Sequence, residues 1–166
     1  MTAEVTQWVA VQRFLGREAH ALDNRDWDSW TALYSPDAEY WVPAWGDDGN
    51  LTKDPQTEIS LIYYANRGGL EDRVFRIRTE RSSATMPLRR TSHMFTLLSV
   101  AENRDGTGLD VRTSWMVNCF HDTTRLSYAG SAEYHLIPDG DAWRIKAKKT
   151  IVINDIAETM LDVYTI

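Results

Sequence analysis

The sequence holds a single cysteine, Cys119, among its 166 residues. One thiol cannot build an internal disulfide framework, and such scarcity fits a reducing compartment. A basic excess is also missing. The net charge is −6 and the pI about 5.2, whereas a nucleic-acid partner calls for clustered positive charge. No apolar run approaches the roughly 20 residues that a membrane-spanning helix needs. The N-terminus MTAEVTQWVAVQRFLGREAH has neither the basic start nor the apolar core of a signal peptide. The expectation is a cytoplasmic protein with neither a nucleic-acid nor a membrane partner. Metal-ligand spacing is lacking as well. His20, His93, His121 and His135 form no pair three to five residues apart, so they read as surface or satisfied core histidines. Only His93 and His121, on neighbouring strands, are candidates to meet in space.

What is present suits one domain spanning residues 1–166. A chain of this size buries roughly two-thirds of its unfolded surface. The hydrophobic fraction of 43% and charged fraction of 25% are ordinary for a soluble globular protein. Seven Trp and seven Tyr are many for this length, and such residues fill wide cores or interfaces.

From Glu4 to Leu22 the apolar residues Val5, Trp8, Val9, Phe14, Leu15 and Leu22 recur at helical spacing. Asn24 and Asp26 supply a stop and an N-cap for a second helix, Trp27 to Leu33. Ser35-Pro36-Asp37 reads as a turn, Glu39 to Ala44 as a strand, and Trp45 to Gln56 as an exposed loop. Ile59 to Tyr64 fits a strand or a helical turn. Gly68-Gly69 reads as a break before a third helix, Leu70 to Arg78, and Ser82 to Pro87 as a loop.

The second half is β-rich. Thr91–Ala101, Leu109–His121, Arg125–Ile137 and Asp141–Asn154 read as long strands joined by hairpin turns. Alternation puts Val111, Thr113, Trp115, Val117 and Cys119 on one face, and Arg112, Ser114 and Asn118 on the other. Leu126, Tyr128, Gly130, Ala132, Tyr134 and Leu136 form the next stripe, with Gly130 marking a bulge or bend. On the last strand Lys146 and Lys148 share a face, which suits an edge-strand guard or a docking patch. Helices followed by a meander give an α+β fold, with N-terminal helices packed on a curved antiparallel sheet. The tail LDVYTI is apolar for a terminus, so it packs onto the body or a neighbouring subunit. Cys119 reads as buried and inert.

The segments RDWDSWTALYSPDAEYWVPAW, LTKDPQTEISLIYYANRGGLEDRVFRIRTERSSAT, RTSH and KAKKTIVINDIAETMLDVYTI together span most of the chain. They resemble the small (β) subunit of bacterial aromatic-ring-hydroxylating dioxygenases, in the benzoate, halobenzoate and anthranilate branch. The resemblance implies an NTF2-like, ketosteroid-isomerase-like cone. It also implies assembly with a large α subunit, with β subunits associating as a trimer inside an α3β3 hexamer. In such enzymes the α subunit carries a Rieske [2Fe-2S] cluster and a mononuclear Fe(II), and a reductase delivers electrons from NADH. The chain's own residues agree with a partner supplying the metals, because a Rieske centre needs two Cys and two His and this chain has one Cys.

No catalytic, cofactor-binding or metal-binding residue is therefore assigned. The expected subunit contacts are Trp45, Arg67, Arg73, Arg76, Arg78, Arg81, Tyr164 and Ile166. Arg is favoured at interfaces for its planar, bidentate fork, although exposed ion pairs on a solvated face are the bland alternative. Two other readings remain open. One is a stand-alone isomerase or dehydratase working through Asp23, Tyr40, His93, Tyr128 and Asp155 in a cone pocket. The other is a small-ligand binding protein with the same cavity. Against the enzyme, those residues also suit a helix end, a packed cone and a final turn.

Overall fold

The computed structural model describes residues 2–79 and 87–166. Local chemistry sets the first half. Helix α1 (Ala3–Asp23) is capped by the Thr2 side chain, which accepts from the Val5 amide, and it closes at Asn24. Asp26 then caps the short helix α2 (Trp27–Ala32) by accepting from the Ser29 amide. Strand β1 (Tyr34–Pro43) and strand β2 (Ser60–Tyr64) follow, so the ambiguous Ile59–Tyr64 segment is extended. Helix α3 runs over Arg67–Arg78.

Gly68 and Gly69 belong to the first turn of α3 and do not break the chain before it. Asn66 caps that turn by accepting from the Gly68 amide at 2.9 Å. Gly69 is small because Tyr64 lies against it: a Cβ there would stand 2.4 Å from the tyrosine ring. The predicted Ser82–Pro87 loop, apart from Pro87, lies outside the described residues.

Strands β3 (Arg90–Glu102), β4 (Leu109–His121), β5 (Thr124–Asp139) and β6 (Ala142–Val152) form the predicted meander. The sheet is larger than that meander and not wholly antiparallel. Its order is β2-β1-β6-β5-β4-β3, and β1 runs parallel to β6. The segment read as a turn, Ser35-Pro36-Asp37, lies inside β1. Its ladder is interrupted there, with pairing to β6 lapsing between Tyr34 and Glu39, as expected where proline offers no N–H.

Two single-residue bulges shape the rest. Leu98 is extra on β3, opposite Thr113 and Arg112. Lys146 is extra on β6, because His135 pairs with Ala147 while Leu136 pairs with Ile145. A bulge bends its strand and reverses the phase of side chains beyond it. The consequence corrects the simple alternation: Lys148 turns into the core with Thr150 and Val152, away from the face of Lys146. β6 also lies in the middle of the sheet, so these lysines guard no edge. Gly130 marks no bulge. It marks close approach of the β6 backbone, where a Cβ would strike the Ile151 carbonyl.

The inner face of the sheet is covered by α1, α2, α3 and the C-terminal tail. Phe14, Leu15, Trp30, Tyr34, Tyr40, Leu70, Val111, Leu136 and Ile145 lie at its centre. The α1 stripe is buried only from Val11 onward; Val5 and Trp8 are exposed. Cys119 is fully buried and its thiol is pushed up to about 11 by that burial, so it is inert as read.

Candidate functional site

Position 18 of α1 lies four residues from Phe14 and from Leu22, on the apolar stripe, yet it is a glutamate. Its carboxylate is 3% exposed. It is saturated with donors: Tyr34 Oη at 2.5 Å, Tyr134 Oη at 2.9 Å and Lys148 Nζ at 2.9 Å. The ammonium also lies over the rings of Tyr134 at 5.2 Å and Tyr40 at 5.7 Å. Burial pushes the Glu18 carboxyl up, but the Lys148 charge and the three hydrogen bonds more than offset it and hold it below the ordinary carboxylate value. Burial and the Glu18 charge push the Tyr34 and Tyr134 hydroxyls well up, so they stay protonated donors. This cluster joins α1 to β1, β5 and β6 through one carboxylate.

A second link ties the end of α1 to β3. Asp23 accepts from the His93 amide at 3.0 Å, from Thr91 Oγ1 at 2.9 Å and from His93 Nδ1 at 2.5 Å. Partial burial raises the Asp23 carboxyl, and its bonds to His93 and Thr91 bring it below the ordinary value. With Nδ1 engaged, His93 Nε2 points inward, buried and without a protein partner.

Between these links the cone keeps a small, mostly apolar cavity of about 40 Å³, into whose lining Glu18, His93, Trp115, Tyr134, Lys148 and Thr150 bring polar groups and Ile166 an apolar one. The cone is thus nearly filled, as its bulky residues suggested, but not solid. An arene does not fit: a cavity that takes benzene measures about 150 Å³.

The alternative catalytic set is not assembled. Asp23 and His93 meet, but Tyr128 faces Thr159 at 3.3 Å and Asp155 is exposed on the segment after β6. Tyr40 is wholly buried, with its hydroxyl toward Thr150. His93 stands opposite Val117, four residues along β4 from His121, so those two do not pair across the strands. His135 instead bonds Asp110 at 3.0 Å near the surface. Among the described residues, no three His, Cys, Asp or Glu side chains gather as metal ligands, and the residues do not fit a Rieske cluster or a mononuclear iron.

The expected contact residues divide into used and unused. Arg73 makes a two-pronged pair with Asp162, and Arg67 bonds Glu71 and the Tyr34 carbonyl. Both arginines pin the fold. Tyr164 and Ile166 are buried in the chain's own interior, Tyr164 edge-on to Trp27 at 6.0 Å, so the tail packs on its own body. Arg78 is exposed and pairs with Asp28 at 2.9 Å. Arg76 is exposed beside a groove formed with Tyr64, Asp72 and Arg73. Trp45 is 47% exposed, though its indole donates to the Val152 carbonyl at 2.7 Å. Arg81 lies outside the described residues.

Sequence reasoning missed three features. Phe75 is 66% exposed on α3 between the arginines; it departs from the buried Leu70, Val74, Ile77 stripe, which was the signal. Met94 and Met116 pair across β3 and β4 on the outer face, with Leu98 and Phe120 also exposed. Glu18 was legible as a charge set within the apolar stripe of α1.

Comparison with known proteins covers nearly the whole chain. Residues 17–159 match the family described as "Ring hydroxylating beta subunit". The β subunit of benzoate 1,2-dioxygenase from Acinetobacter baylyi is 46% identical over 94% of this chain and 92% of its own length. The solved β subunit of the benzoate 1,2-dioxygenase of Burkholderia mallei is 44% identical, with a TM-score of 0.74, covering 94% of this chain and 95% of that one. A chain of a solved naphthalene 1,2-dioxygenase shares the fold at a TM-score of 0.78, over 99% of this chain and 87% of that one, at only 16% identity.

Proposed function

The chain belongs to the ring-hydroxylating dioxygenase β-subunit family, and from that premise we propose that it is the scaffold of an enzyme whose chemistry resides in a large α partner acting on a benzoate-like aromatic acid. The proposed holoenzyme is an α3β3 hexamer in the cytoplasm. Its α subunit would hold the Rieske cluster and mononuclear Fe(II), fed from NADH by a reductase. The observation that carries the reading is the near full-length likeness at 46% identity to a benzoate dioxygenase β subunit. The interior supports it: ion pairs and tyrosines fill the cone and leave no room for an arene.

The work of such a subunit is mechanical. Electrons that pass between metal centres on different α chains need fixed spacing, and a rigid β body can set it. Two surfaces suit the contacts. One is the outer side of α3, where exposed Phe75 lies among Arg76 and Arg78, an aromatic and arginine grouping of the kind that dominates interfaces. The other is Trp45 with its loop. The long β3 edge and the Met94–Met116 pair beside it are further surface that an assembly would cover.

Co-expression with a large α subunit of the same enzyme tests the reading. The two chains should co-purify as one iron-containing complex that oxidises benzoate, and the β chain alone should be inactive. Failure to co-purify, or benzoate turnover by the β chain alone, would refute it.

A further inference from the structure

The cone interior brings together polar atoms that the protein does not satisfy. His93 Nε2, Trp115 Nε1 and Thr150 Oγ1 are all buried without a hydrogen-bond partner, and all three residues line the same cavity beside the Glu18–Lys148 pair. Native interiors leave few such groups unmatched, and each one calls for a partner. We propose that this cavity is a hydroxyl-binding site, occupied in this chain by ordered water that bridges His93, Trp115 and Thr150.

The donors and acceptors select that guest. Asp23 engages His93 Nδ1, so Nε2 presents a lone pair in the neutral ring and an N–H in the imidazolium, and a hydroxyl answers either one. The Trp115 indole can only donate and asks for an oxygen acceptor. Thr150 Oγ1 can do either, and the Tyr40 hydroxyl stands on its other side. A hydroxyl offers a donor and an acceptor from one atom and meets all three demands. An anion would face the Glu18 carboxylate, while a cation would face the Lys148 ammonium and the indole N–H. Size narrows the choice further, since about 40 Å³ holds on the order of two or three waters and no ring. The site rests on the chain's own interior and is independent of the scaffold reading.

Two measurements on the full chain test it. In the wild-type protein, magnetisation transfer from bound water should reach the Trp115 indole proton by NMR, and a high-resolution crystal structure should show water bonded to Trp115 Nε1 and His93 Nε2. A dry cavity, or protein partners closing on those atoms, overturns the proposal. The second measurement enlarges the site with Phe95→Ala, since Phe95 lines the cavity, and compares phenol with toluene by calorimetry. Phenol should bind about tenfold or more tightly than toluene, as expected where buried polar groups await a hydroxyl, and adding Trp115→Phe should shrink that ratio. Equal affinities would overturn the proposal. If Phe95→Ala does not fold, the wild-type water measurement decides alone.

Discussion

Two ion pairs in this molecule have the same length and opposite surroundings. Glu18–Lys148 lies inside the cone with side chains 4% and 6% exposed, and Arg78–Asp28 lies outside with side chains 47% and 81% exposed, both pairs at 2.9 Å. Inside, the pair is hydrogen-bonded by two tyrosines and enclosed by aromatic rings. Outside, water competes for both partners. The difference teaches that distance alone does not rank an ion pair. Removing one member inside strands a charge that cannot reach solvent, while removing one outside merely returns a side chain to water. Arg73–Asp162, largely sheltered between α3 and the tail, falls between the two.

The strongest way to break the comparison is Lys148→Met. Leaving Glu18 buried and unpaired should cost about 3–5 kcal/mol, measured by urea unfolding. The quadruple variant Glu18→Leu, Lys148→Met, Tyr34→Phe and Tyr134→Phe should recover most of that loss, because it removes the buried pair together with the two hydroxyls that donate to it, and well-packed apolar replacements of buried pairs are often neutral. A quadruple variant as unstable as the single one would show that packing, and not stranded charge, sets the cost.

Next in size is Arg73→Ala, which removes the guanidinium's hydrogen bonds from a largely buried Asp162 and should cost about 2 kcal/mol. It should also loosen the tail, read as faster hydrogen exchange at the Val163 and Thr165 amides. Unchanged exchange would separate Arg73 from tail docking.

Acid supplies a third and gentler perturbation. Asp23 and Glu18 are both held below their ordinary values in the folded chain. The unfolded chain therefore takes up their protons first as pH falls. Their contribution is complete above the unfolded values of about 4 and is lost as pH drops through the folded ones. The urea midpoint should fall through this acid range, and Asp23→Asn should make the decline shallower. An identical slope in the variant would sink this assignment.

The smallest stability effect is expected at the exposed pair. Arg78→Ala should change unfolding free energy by well under about 1 kcal/mol. Arg76→Glu, two residues earlier on α3, should likewise leave the fold intact yet shift the α–β complex to smaller species on size exclusion. Intact elution of the variant complex would remove that face of α3 from the interface.

Much of the architecture was legible because its causes are local. Thr2, Asn24 and Asp26 cap or close helices through their own side chains, and strict alternation over Val111–Cys119 marks which face is buried. Candidate contact residues were less legible. Arg73 and Arg76 are three residues apart on one helix, yet one is fixed by Asp162 and the other is exposed. Composition cannot tell them apart, since the distinction depends on a tail that returns from the far end of the chain.

By itself, then, the sequence determined the helices, the hairpins and the shortage of metal ligands, since each follows from short-range sterics, capping or a residue count. Only the tertiary structure decided that β1 lies parallel to β6, that one extra residue at Lys146 turns Lys148 inward, and that Glu18 receives it there. Those outcomes depend on contacts between residues as many as 130 positions apart. A single inserted residue reverses the period-two pattern beyond it, and the alternation of the strand alone carries no mark of where that reversal falls.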